Sequence, residues 1–145
     1  MSDPIYHMVS GDPSPVAPFS QAVESNEWFF LMGQMPTDPK LPDAPLPIGI
    51  VAPTSRVMEN LVIVLAGVHS EIGHVDQCRC YLTEFERDYA DVNKTYQRYF
   101  KVDFLPAHIT VAVMAPVIGA LIEIDRIARR LIWKRDGMFQ KTVTL

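Results

Sequence analysis

The stretch Leu121-Ile122-Glu123-Ile124-Asp125-Arg126-Ile127-Ala128 decides how this chain folds. Its alternation predicts a strand with Ile122 and Ile124 toward one face and Glu123 and Asp125 sharing the other, about 7 Å apart at strand spacing. Two readings stay open for the carboxylates. If their face is covered by another subunit, burial and mutual repulsion raise one pKa and permit general acid/base work. If the strand lies at a sheet edge, they face water or pair with Arg126 or Arg129.

Working outward, residues Ala107 to Met114 predict a second strand, with His108, Thr110, Ala112 and Met114 facing one way and Ile109, Val111 and Val113 the other. A Pro116-Val117-Ile118-Gly119 connection joins it to the first. A third strand runs from Gln77 to Thr83, and Cys78, Cys80 and Leu82 are its core-facing set. Trp28 to Met32 reads as a central strand, apolar on both faces, and Ile5 to Val9 as an edge strand. Thr54 to Ile72 carries Val57, Leu61, Val64, Leu65, Val68 and Ile72 at helical steps, capped by Thr54 or Ser55 and ended by Gly73. A second helix covers about Asp88 to Phe100 and places Tyr89, Val92, Tyr96 and Tyr99 on one side. Six prolines, at positions 36, 39, 42, 45, 47 and 53, predict an extended loop over 36–53.

This order gives an α+β chain with two helices on one face of a mixed sheet. Strands 28–32 and 109–114 are apolar on both faces, so the face without helices needs cover, and a second copy of the chain is the simplest source. Oligomerisation follows from that count; the number of copies does not.

With 145 residues, 48% hydrophobic and 21% charged, the chain reads as one globular domain over 1–145. A net charge of -4 argues against a nucleic-acid binder. The basic groups Arg126, Arg129, Arg130, Lys134 and Arg135 read as a solvated strand end and tail. No run approaches the roughly 20 apolar residues of a membrane span, and the N-terminus has no signal-like pattern, so the expectation is a cytoplasmic protein. Cys78 and Cys80 point to one face two residues apart and are expected as reduced core thiols. His7, His69, His74 and His108 show no paired ligand spacing, so no metal site is expected. Met8, Met32, Met35, Met58 and Met114 are read as core filling. Trp133, Met138 and Phe139 predict that the C-terminal segment 131–145 packs, on the subunit's own surface or over a neighbour.

Several short motifs occur in a recognisable order: Ala17-Pro18-Phe19-Ser20-Gln21-Ala22, Gly33-Gln34-Met35-Pro36, Asn60-Leu61 with Leu65-Ala66-Gly67, Asp88 to Tyr96 with Tyr99-Phe100, Pro106-Ala107, and Ile122 to Ala128. Across about residues 15–130 the chain resembles the Rid (reactive intermediate deaminase, YjgF-like) family. The resemblance implies a chorismate-mutase-like subunit, a homotrimer and ligand sites in clefts between subunits. It also implies cofactor-free hydrolysis of enamines and imines to carbonyl compounds and ammonia.

Carried over by position, the family's catalytic glutamate is Glu123 and its glycine is Gly33. The carboxylate-binding arginine of typical members is replaced by His108, which the resemblance pairs with Glu123 as catalytic. The cleft tyrosine becomes Phe19, the serine before the glycine Met32, and the cysteine two residues after the arginine Thr110. Imidazole lacks the planar fork that matches a carboxylate. A substrate with a free 2-carboxylate therefore needs another cation, such as Arg126 or Arg79, in the site. Two functions fit: a deaminase for an atypical enamine or imine, or a non-catalytic trimer that binds a small molecule or regulates. Ribonuclease activity, also attributed to relatives, ranks behind both for want of a basic groove.

Overall fold

The computed structural model describes residues 3–131. The segment carrying Trp133, Lys134, Arg135, Met138 and Phe139 lies outside them. The elements are β1 (Ile5–His7), β2 (Ala22–Ser25), β3 (Trp28–Gln34), α1 (Val51–Gly67), β4 (Val75–Leu82), α2 (Phe85–Tyr96), β5 (Ala107–Ala112) and β6 (Ile122–Arg129). They build a six-stranded sheet of order β1-β2-β3-β6-β4-β5. All neighbours are antiparallel except β4 and β5, which run parallel with α2 as the crossover between them. The mixed sheet with two helices on one face is the architecture that the alternation pattern predicts.

Alternation on the sheet and helical spacing on α1 meet in one core. Val57, Met58, Leu61, Val64 and Leu65 of α1 and Val92 and Tyr96 of α2 pack on Phe29, Leu31, Cys78, Cys80, Leu82, Ile122, Ile124 and Ala128. The two cysteines are buried and free, as expected. No helix among the described residues is long and apolar enough to cross a membrane.

The helix bounds differ from expectation for identifiable reasons. Helix α1 begins at Val51, so Pro53 lies in its first turn, where backbone N–H groups have no intrahelical carbonyl to bond and a proline without one costs little. Neither Thr54 nor Ser55 caps it; Thr54 Oγ1 instead donates to the Ile50 carbonyl at 2.7 Å. The helix ends at Gly67, and His69 takes a positive φ of 57°, which reverses the chain before Gly73 is reached. Asn60, buried on α1, donates Nδ2 to the carbonyls of Met35 and Thr37 at 3.0 and 2.9 Å. Those bonds tie the start of the proline-rich loop to the helix. Strand β2 had no sequence signal: its four residues include Glu24 and make no apolar run.

Three readings are corrected. Strand β6 lies between β3 and β4, so the edge-strand account of its carboxylates fails. Arg126 is not solvated: it is 1% exposed, its parity places it with the core residues, and its Nη2 donates to Met58 Sδ at 2.8 Å. Arg129 does extend into solvent, paired with Asp76 at 2.7 Å. Of the methionines, Met35 and Met58 fill the core, whereas Met8 and Met114 are exposed.

The chain between β1 and β2 is held by a polar knot. Asp12 is buried, and its Oδ2 accepts hydrogen bonds from Gln21 Nε2 at 2.8 Å and Gln34 Nε2 at 3.0 Å. Burial pushes its carboxyl up to about 7, against the lowering effect of the two glutamines. An acid raised in the folded state binds its proton more tightly there than in the unfolded chain. Its contribution is therefore intact below about pH 4 and is lost as pH rises to about 7. We predict that raising pH from 4.5 to 7.5 removes on the order of 3 kcal/mol from this source. Asp12→Asn, which keeps an oxygen for both glutamines, should flatten that part of the melting profile; identical pH profiles for the two proteins would refute the assignment.

Candidate functional site

Strand parity sorts the candidate residues before any distance is measured. Residues paired across a sheet point to the same face. Glu123 pairs with Tyr81, which pairs with Val111; Asp125 pairs with Arg79, which pairs with Ile109. These two adjacent rows lie on the face that carries no helix. Arg126 pairs with Cys78, which pairs with His108, and this row lies beneath the helices.

Gly33 joins the open-face group through a bulge. The β3–β6 register runs Leu31↔Arg126 and then Gln34↔Ile124, so Met32 and Gly33 together stand opposite Asp125. The extra residue bends β3 and carries the Gly33 backbone against the Glu123 side chain. A Cβ at position 33 would collide with Oε1 of Glu123 and crowd its Cδ and Cγ. Phe19 lies in the loop before β2, exposed, two residues from Gln21, whose carbonyl accepts the Met32 amide at 3.0 Å.

An open pocket of about 180 Å³ is lined by Tyr81, Val113, Ala115, Pro116, Glu123 and Asp125. Burial, reinforced by the Asp125 charge, raises the Glu123 pKa above the ordinary glutamate value. Asp125 itself is pinned from two sides, accepting Arg79 Nε at 2.7 Å and Tyr81 Oη–H at 3.0 Å. Tyr81 and Arg79 were not singled out as a pair by the sequence. Their parity opposite Cys78 and Cys80 was visible, but only the strand order brings them beside Glu123.

His108 and Thr110 form a separate group on the outer strand β5. Their side chains share a hydrogen bond of 2.7 Å between Nε2 and Oγ1. The imidazole stands edge-on to the Tyr96 ring, with centroids 4.6 Å apart, and burial lowers its pKa below the ordinary histidine value. Neutral imidazole is the consequence at physiological pH. Within one chain His108 and Glu123 do not meet: β4 separates their strands and they project from opposite faces. Arg126 projects from the same face as His108 and is sealed in the core, so it does not enter the Glu123 pocket.

The comparisons agree with this architecture. The family model described as endoribonuclease L-PSP matches residues 10–130. The chain belongs to this family, in which the Rid proteins are grouped. It is 42% identical over 118 residues to protein DfrA of Myxococcus xanthus, covering 80% of this chain and 88% of the relative. It is 30% identical to mouse 2-iminobutanoate/2-iminopropanoate deaminase, over 80% of this chain and 84% of the mouse protein. A Rid-family protein from Yersinia pestis superimposes with a TM-score of 0.82 at 30% identity, covering 88% of this chain and 99% of that one.

Because Glu123 ends in a flexible carboxylate, a methyl group at 33 should displace that carboxylate and leave the sheet standing. Gly33→Ala is expected to lower any Glu123-dependent activity by about 100-fold, the scale on which small misplacements of a reacting group act. The melting temperature should fall by only a few degrees. Unchanged activity in the variant would separate Glu123 from the chemistry.

Proposed function

We propose that the protein is an enamine/imine deaminase whose site is completed between copies of the chain, with Glu123 as the group that handles water. The observation that carries this reading is the Glu123 carboxylate, half-buried against Gly33 in a pocket beside Asp125, with its pKa raised. A carboxylate so poised takes a proton from water as the water oxygen bonds to the imine carbon, and returns it to the nitrogen. The hydroxyl proton of the tetrahedral adduct then passes through the same carboxylate to the nitrogen as the C–N bond breaks, and a carbonyl compound and ammonia leave. An enamine enters the same path after protonation at carbon. The mouse relative's name supports this class of substrate.

The open face supports assembly. Trp28, Phe30, Ile109 and Val111 are exposed on the helix-free side, with Phe30 at 48% and Ile109 at 50%. Exposed apolar rows of this kind seek cover, and a homotrimer provides it while bringing the β5 edge of one copy to the open face of the next. His108 and Thr110 of one subunit would then face Glu123, Gly33, Met32 and Phe19 of another, with His108 offering a neutral hydrogen-bonding group. Phe30→Asp is expected to convert the trimer to monomers in light scattering; a trimeric mass in the variant would place the interface elsewhere.

Imidazole at position 108 gives this site a substrate range unlike that of the arginine-bearing members. Its ring is already engaged with Thr110, an arrangement that also suits a binding protein without turnover. Ammonia release from freshly generated imines, with side chains from small to aromatic, separates the two readings. The deaminase reading expects acceleration on at least one substrate, reduced about 100-fold or more in Glu123→Gln and less in His108→Ala. Rates equal to buffer across the panel would leave the binding reading in its place.

A further inference from the structure

A carboxylate-lined pocket is a poor place for an anionic substrate unless a cation stands beside it. With imidazole at 108 and Arg126 sealed beneath the helices, the strand registers leave, among the described residues, one guanidinium in the row next to Glu123, that of Arg79, which adjoins the lining residue Asp125. Arg79 occupies the row next to that of Glu123, about 7 Å along the strands. Its side chain is 47% exposed and spends only Nε on Asp125, at 2.7 Å. Among the described residues neither of its Nη atoms makes a hydrogen bond. Asp125, by contrast, has both oxygens engaged, by Arg79 and by Tyr81, and its side chain is 14% exposed.

An isolated surface ion pair leaves its arginine free to swing. Here the acceptor is fixed at both oxygens and shielded, so the guanidinium is held through Nε while its side chain stays 47% exposed. Two parallel N–H donors are the fork that a carboxylate accepts in bidentate fashion. A guanidinium carries five donors, so holding Asp125 through one leaves the fork available.

We propose that Arg79, oriented by the Tyr81–Asp125 pair, is the anion anchor of the Glu123 pocket, and that the ligand is a small molecule bearing a carboxylate. Resting on the deaminase reading, this makes the substrate a carboxylate-bearing imine or enamine held from β4, on the Glu123 side of the cleft. Arg79 is then a specificity-determining residue, and Tyr81 and Asp125 are positioning residues that act through it. The orientation of a substrate set from β4 differs from one clamped at position 108, which is where a changed substrate range would originate.

Two readouts test this together on the full chain. The first is kcat/KM for imines whose carboxylate sits one to four carbons from the imine carbon, each compared with its methyl ester. The second is calorimetric binding of the corresponding 2-oxo acids and their amides, which needs no turnover. Arg79→Gln is expected to reduce the preference for acid over ester at least 10-fold, mainly through KM, and to weaken 2-oxo acid binding by a similar factor. Arg79→Lys, which keeps charge but not the fork, should fall between. Equal losses on acid and ester, or 2-oxo acid affinity unchanged in Arg79→Gln, would overturn the anchor. Arg79-dependent binding of 2-oxo acids without turnover of any imine would retain the anchor and remove the deaminase reading. Turnover of imines with no Arg79-dependent preference would do the reverse.

Discussion

The contact between the Glu123 side chain and the Cα of Gly33 is the constraint on which the open-face pocket depends. It requires a residue without a Cβ, and it requires the bulge that sets Met32 and Gly33 against Asp125 alone. Without the bulge, position 33 would take the parity of Leu31 and Phe29 and lie under the helices. With it, β3 shifts parity within two residues: Phe30 is on the open face, Leu31 in the core, and Gln34 again buried in the core. Gln34 then reaches Asp12, so the same bulge that seats the candidate catalytic carboxylate also anchors the segment between β1 and β2. Pocket and fold are therefore coupled through one irregularity in one strand pair.

Parity also divides the chemistry. Glu123, Asp125, Tyr81 and Arg79 share one face; His108, Cys78 and Arg126 share the other. Because β5 is at the sheet edge, its helix-side residues remain accessible at the rim even though those of β4 and β6 are sealed. A site combining His108 with Glu123 has to recruit one group from each of two copies, which ties the proposed activity to assembly.

Arg126 shows how far parity outweighs residue type. Its neighbours along β6, Asp125 and Ile127, look outward, so a guanidinium at 126 is forced into the core whatever its solvation cost. There its Nη2 meets Met58 Sδ, its charge lies 5.9 Å from the centroid of Phe100, and its Nε and Nη1 have no partner among the described residues. Cation–π attraction and a sulfur acceptor offset part of the cost of burial. Among the described residues no carboxylate joins it, since the acidic residues of the strand carry the opposite parity.

The sequence by itself determined the helices around Val57–Leu65 and Val92–Tyr96, the strands β4, β5 and β6, and the motif order that marks the family. Local periodicity and spacing carry that information, and they need no knowledge of neighbours. It also placed Glu123 and Asp125 together and set Cys78 and Cys80 opposite Arg79 and Tyr81. Beyond the core-facing set of β4, which was already legible as Cys78, Cys80 and Leu82, the tertiary structure decided which parity of β5 and β6 faces the helices, that β6 lies between β3 and β4, and therefore that Arg126 is core while Arg79 stands in the row next to Glu123. Alternation distinguishes two faces without saying which is buried, and cross-strand partners depend on strand order, a long-range property absent from any single stretch. Short β2, the first-turn Pro53 and the bulge at Met32-Gly33 escaped the sequence for the same reason: each is fixed by what packs against it.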